Sequence, residues 1–92
     1  MINVFEITGE TAIRQDLADR LFAILYLEIT TNYQVTIVNF SGVDFALCLF
    51  LHVAIGRLYN EFPAMVLDRK LRIVGMNENI KDVCDRCRES WV

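Results

Sequence analysis

The chain has 92 residues, 9 Lys+Arg against 12 Asp+Glu, one His and 54% hydrophobic residues. That supports one domain over residues 1–92, and so apolar a chain with a net charge of −3 is not disordered. Scattered charge of net acidic sign argues against nucleic acid, whose phosphates demand a basic stripe. The longest apolar run, Phe45–Ile55 interrupted by His52, falls short of the ~20 residues a membrane span needs. Three cysteines leave at least one thiol over, and no secretory leader pattern opens the sequence, so a reduced, cytoplasmic protein is expected.

Ile2–Ile7 has β-forming residues in partial alternation and predicts a short strand, and Thr8-Gly9-Glu10 predicts a turn. From Thr11 the period becomes helical. Ile13, Leu17, Leu21, Ile24 and Leu25 share one face, Thr11 is placed as N-cap, and Asp16 and Arg20 are spaced for an i,i+4 ion pair. Thr30-Thr31-Asn32 favours a stop. Gln34–Phe40 is the clearest strand: Val35 and Ile37 point to one face, Val38 and Phe40 to the other, as in a central strand.

After the turn at Ser41-Gly42, Val43–Tyr59 reads as a helix that is apolar nearly all round, with Asp44 as a cap at its start. Pro63 ends that region, and Ala64–Asp68 has room for one helical turn. Leu71–Met76 predicts a third strand, and Asn77 caps a last helix through about Glu89 with Ile80, Val83, Cys84, Cys87 and Trp91 as its buried stripe. Alternating strands and helices imply a mostly parallel sheet of three or four strands. Three helices packed mainly on one face leave apolar surface for a partner.

The segment Val35-Thr36-Ile37-Val38-Asn39-Phe40-Ser41-Gly42-Val43-Asp44-Phe45 resembles the strand-and-turn signature of STAS domains, named for sulfate transporters and anti-sigma-factor antagonists. Phe50 in the following helix, then Ile73-Val74-Gly75-Met76-Asn77 before the last helix, resemble the smaller STAS-like domain family of unknown function. The resemblance runs over roughly Val4–Arg88 and implies a small STAS-like α/β fold and a non-catalytic interaction module without a cofactor. It also implies docking onto a kinase-like ATPase through the turn and first helical turn after the signature strand, here Ser41, Gly42, Val43, Asp44, Leu47 and Cys48. Self-association is the other partner expected. In the antagonists a Ser or Thr at that helix start is phosphorylated, and a dianion in a partly apolar interface disrupts it. Here Leu47-Cys48-Leu49-Phe50 takes the acceptor's place, and between Val43 and Val92 the only hydroxyl amino acid of that kind is Ser90.

The competing chemistry is a cysteine-dependent redox or zinc site. Cys48 and His52 are i,i+4 neighbours, and Cys84-Asp85-Arg86-Cys87 has metal-ligand spacing, so the four together have the composition of a structural zinc site. Each residue also continues an apolar helical stripe, where free cysteine packs as a small hydrophobe. The packing reading is preferred, with neither a metal nor a catalytic residue assigned. Asp68-Arg69-Lys70 with Arg72, and Arg86 with Arg88, read as solvated charge, and Gly42, Gly56 and Gly75 are too isolated to cradle a phosphate.

Overall fold

The computed structural model describes residues 1–31, 34–89 and 91. Its elements are β1 (Ile2–Asn3), α1 (Val4–Thr8), β2 (Thr11–Ala12), α2 (Gln15–Thr31), β3 (Thr36–Asn39) and β4 (Phe45–Ala46). Then come α3 (Cys48–Leu51), a π-helical turn (His52–Gly56), α4 (Leu58–Glu61), α5 (Ala64–Lys70), β5 (Leu71–Val74) and α6 (Glu78–Arg88). Asn32 of the predicted stop lies outside the described residues, as does Ser90.

The main sheet has the order β1-β3-β5, all parallel, with Val38 opposite both Ile2 and Ile73. A sheet that advances in one direction through right-handed crossovers places its helices on one face. Burial follows that rule. Thr36, Val38 and the following Phe40 are buried beneath the helices, while Arg72 and Val74 on the other face are exposed. The predicted centrality of β3 and the small α/β fold with helices on one side are both present.

The core joins Val38 and Phe40 to Leu21, Leu25 and Ile29 of α2, and to Phe50, Leu51, Ile55 and Leu58 of the region after β4. Each of these nonpolar side chains leaves water almost completely, and a fully buried Leu, Ile or Phe contributes roughly 1.5–3 kcal/mol. Together they seat α2 and the later helices on the sheet.

Three local expectations fail. Ile2–Ile7 is a strand only over Ile2–Asn3 and then turns helical. Thr11 caps no helix; it pairs in β2 with Phe45, while Ala12 pairs with Ala46, forming a second parallel sheet of two strands. Arg14 takes Asp16 as its partner at 2.6 Å, in place of the predicted Asp16–Arg20 pair, because Arg14 precedes α2 and its chain is free to fold back. That guanidinium holds the Asp16 carboxyl below its usual range.

Candidate functional site

The corner between β3 and β4 is built from backbone requirements. Val43 N donates to Phe40 O at 3.0 Å, closing a four-residue turn whose third residue, Gly42, has φ +91°. Only glycine adopts that conformation without cost, and the Phe5 ring lies where a Cβ on Gly42 would point, 3.0 Å from its nearest carbon. Asn39 Oδ1 accepts from Ser41 N at 3.0 Å, and Asn39 Nδ2 donates to Asn3 Oδ1 at 3.2 Å, tying the turn to the sheet.

Asp44 is not the helix cap that its position suggested. Its amide donates to Glu10 O at 2.8 Å, which starts the pairing of β4 with β2, and the helix begins only after Leu47. The predicted helix over Val43–Tyr59 is therefore delayed by a two-residue strand and passes through the π-helical turn before Arg57. Leu47 N donates to Ala12 O at 3.0 Å and extends the β2–β4 pairing by one step.

This second sheet sorts side chains by the strand period of two. Ala12 and Ala46 are buried, whereas Ile13, Phe45 and Leu47 are 46, 44 and 40% exposed. Leu49, one step into α3, is 58% exposed. Of the six residues assigned to the docking surface, Val43 is buried and Ser41, Gly42, Asp44, Leu47 and Cys48 are exposed. Beside them Phe45, Ala46, Leu47 and Cys48 form one wall of a groove of about 340 Å³, with Val83, Arg86 and Cys87 of α6 as the other. Phe45 and Ile13 share the exposed face of this two-stranded sheet and were missed by sequence reasoning. The signal that would have found them is the short alternation Phe45-Ala46-Leu47, concealed in a run with apolar residues on every side.

The last helix is fastened to this corner at both ends. Asn77 Oδ1 accepts from Ile80 N at 2.8 Å, the predicted N-cap, while its Nδ2 donates to Asp44 O at 3.0 Å and reaches Val43 O at 3.4 Å. Ten residues further along α6, Cys87 is disulfide-bonded to Cys48, with 5.8 Å between their Cα atoms. Asn77→Ala is expected to cost about 1–2 kcal/mol in urea unfolding, since it removes a cap and the bond to the corner together. Asn77→Asp keeps the cap acceptor but no donor, so its loss should be smaller. An Asn77→Asp variant as stable as the parent would show that the corner bond contributes nothing, and equal losses for the two variants would show the same of the cap.

The disulfide corrects the expectation of three reduced, purely packing cysteines. The odd count leaves one thiol, and it is Cys84, buried one helical turn before Cys87. Burial raises the Cys84 thiol above its ordinary pKa, with Arg88 opposing and Asp85 assisting that shift. Cys48, His52, Cys84 and Cys87 do not converge as a zinc site: among the described residues no group of three or more His, Cys, Asp or Glu side chains is placed to hold a metal. Two of the three sulfurs are already committed to each other.

A family described as the STAS-like domain of unknown function (DUF4325) matches residues 18–81. The chain belongs to this family. The matched span of this STAS-like domain runs from α2 through the start of α6 and so contains the corner, the groove-forming β4 segment and Asn77. No curated protein and no solved structure matches the chain. No described helix of the domain is long and apolar enough to cross a membrane.

Proposed function

We propose that this STAS-like domain is a non-catalytic protein-interaction module that docks a kinase-like ATPase through the β3–β4 corner. The observation that carries the reading is that exposed Phe45 and Leu47 line a groove rimmed by Arg86, with exposed Ile13 on the same face of the two-stranded sheet. Contiguous exposed apolar surface with a charged rim is the common form of a protein interface. The STAS resemblance supplies the class of partner, since those domains dock with the same turn and helix start.

Leu47→Asp tests the surface. The side chain is exposed, so the thermal midpoint should stay within a few degrees of the parent, while a carboxylate on an apolar docking face should weaken binding at least tenfold. Affinity capture from the native host, run in parallel with parent and variant, should retain a kinase-like ATPase subunit with the parent alone. Equal retention by both proteins would remove the corner as the docking surface. Light scattering at high concentration reads the other partner class: a dimer in the parent that Leu47→Asp dissolves would replace the ATPase with a second copy.

A further inference from the structure

The Cys48–Cys87 bond joins α6 to the corner, and Cys84, one helical turn earlier, lines a cavity between α6 and the end of β5, so the surroundings of the three sulfurs differ in a way that orders their chemistry. Cys48 is exposed on the groove wall. Its disulfide partner Cys87 is 5% exposed and sits in the last turn of α6. Cys84, three residues earlier on the same helix and 6% exposed, carries the free thiol.

In thiol–disulfide exchange the attacked sulfur keeps the new bond and the other sulfur departs as thiolate. A thiol from solvent reaches the exposed Cys48, but the departing group would then be Cys87, whose negative charge would form in an apolar interior near a helix C-terminus. Attack on Cys87 has the better departing group, because a Cys48 thiolate is solvated. Burial keeps outside thiols from Cys87, whereas Cys84 occupies the neighbouring position on its helix, with Cβ atoms at about 5–6 Å for that spacing. Closing that gap requires movement in the final turn of α6, and helix ends open more readily than helix centres.

We propose that Cys84, Cys87 and Cys48 form an internal thiol–disulfide exchange relay that transfers the disulfide from Cys48–Cys87 to Cys84–Cys87 and releases Cys48 as an exposed thiol. The Cys84 sulfur attacks Cys87, the Cys87–Cys48 bond breaks, and a Cys84–Cys87 bond forms. The proton given up by Cys84 passes to solvent and the Cys48 thiolate takes one up. One thiol and one disulfide enter and one of each leaves, so no external oxidant or reductant takes part. The exchange also unfastens α6 from α3.

The attacking group must lose its proton, and burial opposes that. Lys81, Asp85 and Arg88 of α6 line the same cavity as Cys84, while the β5 side contributes only Ile73, Val74, Gly75 and Met76, none of them titratable. Exchange is therefore slow at neutral pH and quickens about tenfold per pH unit below the Cys84 pKa.

The oxidised full chain, incubated with iodoacetamide between pH 7 and 9, quenched in acid and digested with trypsin, gives distinct fragments. Exchange yields Asp82–Arg86 disulfide-linked to Cys87–Arg88, together with alkylated Cys48 in Leu21–Arg57. The expected result is Cys48 alkylation that rises with pH, at a rate independent of protein concentration and flat in urea below the unfolding transition. Alkylation confined to Cys84, with Cys48 still linked to Cys87, would overturn the relay. So would a rate proportional to protein concentration, which marks exchange between molecules, or one that climbs with subdenaturing urea, which marks global unfolding. Cys84→Ser should show no Cys48 alkylation, and label appearing there would exclude Cys84 as the attacking thiol. These readouts need no partner, so they stand or fall separately from the docking proposal.

Discussion

Cys48→Ser is expected to lower the unfolding free energy by about 4 kcal/mol under oxidising conditions, the chain-entropy value for a closed loop of this size. The disulfide joins positions 39 residues apart, so it removes many conformations from the unfolded chain. In a domain of this length that corresponds to a fall in thermal midpoint of roughly 15–30 °C. Cys48 suits the test better than Cys87, because its exposed position takes a hydroxyl without burying it. Dithiothreitol should bring the parent down to the reduced variant. A parent midpoint indifferent to reductant would show that the bond contributes nothing to stability.

That bond marks the limit of what the chain discloses one residue at a time. Val38, Phe40, Leu21, Leu25, Ile80 and Cys84 repeat with the period of their elements, and all are buried as their spacing requires. The parallel three-stranded sheet, the cap at Asn77 and the exposed turn at Ser41-Gly42 were legible for the same reason: each rests on a local rule of period or turn chemistry. The second sheet was not. Two strands of two residues each are too short to establish a period of two, and Ile13 beside them continues the helical spacing of Leu17 and Leu21. The disulfide depends on α6 crossing α3, a tertiary fact, and cysteine parity could say only that one sulfur would be left over.

The docking surface shares this division. Ser41, Gly42 and Asp44 were found through a turn motif, and all three are exposed. Val43 points inward because it closes the turn onto Phe40, and its place on the surface is taken by Phe45. Exposure of Phe45 and Leu47 follows from their pairing with β2, and hence from the chain's return by way of Glu10. The assigned surface is therefore a product of contacts between distant segments. Anything that shifts one of those segments should disturb it without touching an exposed side chain.

Gly75 is the position where such a shift should be largest. Its φ is +78°, and a Cβ there would lie within 2.7 Å of the Ser41 amide nitrogen and closer still to Asn39 Oδ1 and Ser41 Oγ. Two of those atoms, Ser41 N and Asn39 Oδ1, make the bond that holds the corner to the sheet. Gly75→Ala therefore combines left-handed strain of about 1–2 kcal/mol with an overpacking cost of about 1–3 kcal/mol. A loss of about 3 kcal/mol in urea unfolding is expected. Gly75→Asn separates the two causes, because asparagine tolerates left-handed backbone but still carries a Cβ. It should remain destabilised by at least 1 kcal/mol, and the Ser41 amide should move in a proton–nitrogen NMR spectrum of either variant. If Gly75→Asn were as stable as the parent, close packing would not be what demands glycine beneath the corner, and conformational strain alone would explain the residue.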